Sequence, residues 1–115
     1  MLGFIAGCFA WGALKQAAFG GPVRHSLADL GLVGPLVEEL QFRAGLERAG
    51  LRRVMTPGKA RILSSLAFAT GHQVPLDAAL GGFVYSHAYD RGGLLGAVAA
   101  HASHNIGVWV ASRIL

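Results

Sequence analysis

Seven polar residues lie inside otherwise apolar stretches of this sequence: Glu38, Glu39, Arg43, His72, His101, His104 and Asn105. Their types suit a limited chemistry. A carboxylate beside an imidazole can take a proton from water, and imidazole and carboxamide N–H groups can hold a developing oxyanion. Glutamate and histidine from facing helices can equally ligate a metal. Glu39 and Arg43 are four apart with the acid on the N-terminal side, which places an ion pair on one helix face. Glu38 lies about 100° round the helix from Glu39. One carboxylate can therefore serve Arg43 while the other faces a different helix, and Glu38 is the choice for general base. His101 and Asn105 are also four apart and project from one face, and Phe68 and His72 repeat that spacing on a shorter helix. Glu38, His72, His101 and Asn105 are thus expected to converge from three helices on one polar pocket.

Each feature also has a plainer explanation. Glu39–Arg43 alone reads as a structural ion pair, His72 as a polar helix end, and His101 with Asn105 as hydrogen-bonding glue between helices. His104, three positions from His101, is assigned a supporting role. Against the plain readings stands the penalty for a charged side chain at mid-membrane, about 2.5–3.5 kcal/mol on insertion scales. Such residues persist where they pair or work.

The elements that must position these groups are apolar. The chain has 115 residues, room for one domain, with 53% hydrophobic and 14% charged residues and a mean hydropathy of +0.48. Ordinary soluble domains carry about 25% charged residues, so lipid is the expected solvent. Cys8 is the only cysteine, which excludes an internal disulfide framework; it reads as a small packed residue. The net charge is +4 and the pI about 10.0. Arg48, Arg52, Arg53, Lys59 and Arg61 crowd into fourteen residues between apolar stretches. That pattern marks a cytoplasmic loop rather than a nucleic-acid-binding stripe, so no nucleic-acid partner is expected.

The first apolar run, Leu2 to Phe19, is long enough to span a bilayer, with Lys15 snorkelling to the interface. A loop from Gly20 to Asp29 precedes a helix over about Leu30 to Ala49, and a basic loop Gly50 to Lys59 follows. A short helix, about Arg61 to Gln73, is ended by Pro75 and is buried or partly re-entrant. The last two helices cover about Leu76 to Tyr89 and Leu94 to Leu115, separated by Asp90-Arg91-Gly92-Gly93. Their glycines and alanines allow close helix approach in a membrane. The expected fold is all-α: a polytopic transmembrane bundle of about five helices, one membrane domain over residues 1–115. Trp11, Trp109, Tyr85 and Tyr89 read as core or interfacial anchors.

Glu38-Glu39-Leu40-Gln41-Phe42-Arg43 is similar to an EExxxR motif, Phe68-Ala69-Thr70-Gly71-His72 to FxxxH, and His101-Ala102-Ser103-His104-Asn105 to HxxxN. All three, in this order, resemble the CAAX prenyl protease and bacteriocin-processing (CPBP, or Abi) family of intramembrane proteases, over about residues 34–110. The resemblance implies a multi-pass protein of the cell membrane, in a bacterium the cytoplasmic one. It further implies an endopeptidase acting on membrane-associated substrates, prenylated CAAX proteins among them. Glu38 would activate water with help from His72, His101 and Asn105 would stabilise the oxyanion, and Glu39 and Arg43 would hold the site together. Two versions of the chemistry stay open: zinc held by Glu38, His72 and His101, or glutamate-activated water without metal. The chain departs from the family in holding fewer membrane helices than its members usually carry. Two other readings compete: a non-catalytic bacteriocin-immunity or partner-binding membrane protein, and a small metal-binding or transport bundle using Glu38, His72, His101 and His104.

Overall fold

A computed structural model describes residues 1–114, which are helical apart from short connections and contain no strand among the described residues. Helix α1 spans Leu2–Phe19. Ser26 then caps a second helical stretch: its Oγ accepts the Asp29 backbone N–H at 3.1 Å and donates to the Asp29 carboxylate at 2.9 Å. Accepting a first-turn backbone N–H through a short polar side chain is the usual way a serine caps a helix start. The predicted loop therefore ends at Ser26, not Asp29. The stretch continues through a π-helical turn, Asp29–Val33, α2 over Gly34–Glu39 and a longer π-helix, Leu40–Gly50.

A 3-10 turn, Leu51–Arg53, leads to α3, Pro57–Thr70. The predicted loop Gly50 to Lys59 thus shrinks to Val54–Thr56, because Thr56 accepts the Lys59 N–H and Pro57 opens the helix. Proline suits that first position, where its missing N–H leaves no intrahelical bond unmade. Pro75 plays the same part in α4, Pro75–Ile114. Gly93, at φ 64° and ψ −159°, breaks α4 into two rods. The predicted four-residue stop at Asp90–Gly93 is thereby reduced to one glycine in a conformation that L side chains rarely adopt. The predicted helix end at Leu115 lies outside the described residues.

The chain packs as two compact units, one formed by Met1–Leu36 with residues from Val98 onward, the other by Val37–Ala97. In the first, α1 lies against the C-terminal rod of α4 at backbone contact. A Cβ on Gly12 would fall on the His104 carbonyl, and one on Gly107 on the Phe9 carbonyl. Small residues permit such approach, and Cys8, Ala100, Ala102 and Ala111 are buried in the same unit.

The second unit buries alanines and polar groups: Ala60, Ala69, Ala78 and Ala88 beside Glu39, Arg43, Glu47, Ser64, Ser65 and Ser86. Large apolar side chains point outward in both units, with Leu2, Leu14 and Phe19 at 70–89% exposure and Val54, Leu76 and Leu95 at 74–80%. Among the described residues one helix, α1, is long and apolar enough to cross a membrane.

Candidate active site

The π-helix Leu40–Gly50 carries the charged residues that most need explanation. Its backbone is wound more widely than an α-helix, with i→i+5 hydrogen bonds, a form frequent at functional sites. Glu39, the last residue of α2, and Arg43 and Glu47 on the π-helix are spaced four apart and all fully buried. Arg43 Nε lies 3.4 Å from Glu39 Oε2, and Arg43 Nη1 donates to Ser64 Oγ at 3.3 Å. Ser64 Oγ in turn donates to Glu47 Oε2 at 3.1 Å, so one arginine is held by two acids, one through a hydroxyl. Gly82 leaves room for the guanidinium, since a Cβ there would sit 2.8 Å from Arg43 Nη2. The Phe68 ring lies under the same guanidinium, 5.1 Å from its carbon.

Glu47 is the centre of a wider network. Ser86 Oγ donates to its Oε1 at 2.7 Å, and Arg52 and Arg48 reach it at 3.2 and 3.4 Å. Arg48 and Arg52 continue to Asp90 Oδ1, at 2.5 and 3.3 Å, while Arg61 pairs with Asp90 Oδ2. Arg61 also donates to Ser86 Oγ at 2.9 Å. Burial alone would raise the Asp90 carboxyl, but the Arg48 hydrogen bond and the charges of Arg48, Arg61 and Arg52 hold it below the usual carboxylate range. Three of the five basic residues assigned to a solvated loop are therefore bound to carboxylates, because Asp90 and Glu47 lie within reach.

Glu38 faces away from this network. Its Oε2 is 3.5 Å from His72 Nε2, and His72 Nδ1 lies 2.7 Å from the Phe68 carbonyl oxygen. A carbonyl only accepts, so Nδ1 carries a hydrogen and Nε2 is the nitrogen turned to the carboxylate. His72 lies in the turn between α3 and α4. The ring stacks on Phe68 at 4.3 Å, and Phe68 meets Phe42 edge-on at 5.4 Å. Both side chains of the pair keep about a third of their surface uncovered by protein, 33% for Glu38 and 35% for His72.

In the other unit His101 and His104 are buried. The His104 ring packs on Trp11 at 4.5 Å, and its Nδ1 is 3.4 Å from Asn105 Oδ1. Asn105 Nδ2 donates to the Leu30 carbonyl at 3.0 Å, which ties the start of the second helical stretch to the last rod. Within each unit the structure thus brings together Glu38 with His72, Glu39 with Arg43, and His104 with Asn105.

Glu38 and His72 offer a metal two donors, one short of the three protein ligands of a catalytic zinc site. No group of three or more His, Cys, Asp or Glu stands together as a ligand set among the described residues. Glu47, Ser64, Ser86 and Asp90 join the site only in the folded chain. For Glu47 the signal was present, since it extends the four-residue spacing of Glu39 and Arg43 by one step.

No curated protein and no solved structure matches the chain. A family model does match, over residues 23–107, and it spans the Glu38–His72 pair, the buried acids and the His101–Asn105 segment. By that match the chain belongs to the Rce1-like family of type II CAAX prenyl endopeptidases.

Proposed function

We propose that this chain is an intramembrane endopeptidase that hydrolyses peptide bonds of membrane-associated proteins of the prenylated CAAX type. The observation that carries the reading is the Glu38–His72 pair, partly uncovered by protein, beside a buried arginine held by two acids. Glu38 takes a proton from water as the water oxygen adds to the scissile carbonyl carbon. The resulting oxyanion is held by N–H donors, the role proposed for His101 and for the carboxamide of Asn105. The intermediate collapses with cleavage of the C–N bond, and the proton held by Glu38 and His72 passes to the leaving amine. Glu39 and Arg43 touch no reacting atom in this scheme. They fix the helix from which Glu38 projects.

The exposed large apolar side chains of both units support a multi-pass position in a cell membrane, in a bacterium the cytoplasmic one. The scheme routes no step through a metal. Turnover is accordingly expected to persist in protein stripped by a strong chelator, and zinc-dependent recovery of a lost activity would replace glutamate-activated water with a metal mechanism.

Purified protein in liposomes, assayed on one prenylated peptide, tests the reading. Glu38→Gln should lower turnover by about 10²–10⁴-fold, the usual loss for a general base, with an unchanged melting temperature. Wild-type turnover in Glu38→Gln would sink the assignment. The rival reading, a non-catalytic partner-binding or immunity protein, draws on the same network, since Glu39, Arg43 and Glu47 are engaged in packing one unit. It would be selected if the folded wild-type protein cleaved no such peptide and bound a protein partner.

A further inference from the structure

At one end of the second unit, three arginines from three successive elements meet on a single carboxylate. Arg48 comes from the π-helix, Arg52 from the 3-10 turn, Arg61 from α3, and Asp90 from the first rod of α4. Asp90 is 38% exposed, while the second acid in reach, Glu47, is buried and faces the clasp from inside. With Arg53, Lys59 and Arg91, all exposed, six cations stand at this end against those two carboxylates. Such an excess favours an added anion.

The surroundings of the clasp are those an amphiphile would meet. Arg48 lies over the Tyr89 ring at 3.8 Å, and Arg61 over Phe83 at 5.6 Å. Along α3 beyond the clasp, Ile62, Leu63 and Leu66 are exposed at 51, 46 and 53%. A concavity of about 480 Å³ near the start of α3, on that outward face, is lined by Met55, Lys59, Ile62 and Leu63. Charge gathered at one end of a unit whose outward large side chains are apolar matches a phosphate joined to acyl chains, whereas a free anion would use the charge alone.

We propose that the Arg48–Arg52–Arg61 clasp binds the phosphate of an anionic phospholipid, with Asp90 as the internal anion that the phosphate displaces. Guanidinium groups bind phosphate through paired N–H donors, and phosphate offers more charge and more acceptor oxygens than the carboxylate it replaces. Binding fixes the depth of the unit. From Arg61 to the end of α3 at Thr70 is about 14 Å at ~1.5 Å per residue, so the Glu38–His72 pair lies about that far from the headgroup level. The site rests on the membrane position proposed above and is independent of the protease reading.

The test uses the full chain in a neutral detergent and reads no turnover. Thermal melts are recorded against dioctanoyl phosphatidylglycerol, dioctanoyl phosphatidylcholine and inorganic phosphate. The expected result is a saturable rise in melting temperature with phosphatidylglycerol, half-complete at a concentration at least tenfold below that for either other probe. Arg52→Gln should raise that concentration at least fivefold, and Asp90→Asn should lower it, because the arginines are then unopposed. Arg24→Gln, outside the unit, should leave it unchanged. Equal response to phosphatidylcholine would overturn the charge recognition, and equal response to phosphate would overturn the lipid as occupant. If Asp90→Asn fails to fold, Arg52→Gln decides, and an unchanged response in that variant overturns the proposal.

Discussion

At the residue scale, the adjacent glutamates Glu38 and Glu39 have different surroundings and should fail differently when altered. Glu38 is partly open and touches His72; Glu39 is fully buried and touches Arg43. Removing one partner of a buried ion pair is destabilising by about 3–5 kcal/mol because an orphan charge remains. Here Arg43 keeps Ser64 and, through it, Glu47, so Glu39→Gln should fall at the lower end, about 3 kcal/mol. The double variant Glu39→Gln, Arg43→Met should recover part of the loss, which thermal melts in detergent would read. Glu47→Gln should lower the melting temperature at least as far as Glu39→Gln, since Glu47 receives Ser64, Ser86, Arg48 and Arg52. A Glu47→Gln protein as stable as wild type would show that the network does not hold the unit together.

At the scale of elements, contacts without side-chain chemistry carry much of the arrangement. Gly12 on α1 and Gly107 on α4 meet the opposite backbone with no space for a methyl group. Gly12→Ala or Gly107→Ala should therefore push the two helices apart, at an overpacking penalty of about 1–3 kcal/mol. Gly3→Ala, where a Cβ meets nothing within 4 Å, is the matched control and should be neutral in the same melts. The clasp that joins α3 to the first rod of α4 gives a pH signature. The Asp90 carboxyl is held below its ordinary value of 3.8 in the folded protein. A depressed carboxyl contributes stability that is present above the unfolded value and lost as pH falls through the folded one. The melting-temperature gap between wild type and Asp90→Asn should hold steady from about pH 7 to 5 and close below about pH 4. A gap that persisted at the acid end would mean that the Asp90 charge contributes nothing.

For the whole molecule the testable quantity is its orientation in the membrane. Arg53 and Lys59 are exposed near the start of α3, and basic residues beside apolar spans remain on the cytoplasmic side. Lys59→Cys in a Cys8→Ala background should resist an impermeant thiol reagent applied outside intact cells and react once the membrane is opened. Reaction from outside would reverse the orientation. Cys8 is buried, so its removal leaves the surface that the reagent samples unchanged.

Several features were determined by the sequence alone. Spacing is local, and four residues along a helix return to one face whatever the rest of the chain does. For that reason the Glu39–Arg43 pair, the separate facing of Glu38 and the all-helical character were legible, as was the family through its three motifs. Helix boundaries were less so. Pro75 is expected to end a helix and Pro57 falls inside an expected loop, yet each opens a helix, because a proline ends one helix and starts another with the same lack of an N–H. The network around Glu47 depended on tertiary structure. Ser64, Ser86 and Asp90 are ordinary residues until α3 and α4 bring them to the π-helix, at sequence separations of 17, 39 and 42–43 residues from Glu47 and Arg48. Basic residues read as a solvated run became ligands of two carboxylates for the same reason: sequence order fixes which charges exist, and only packing decides which of them meet.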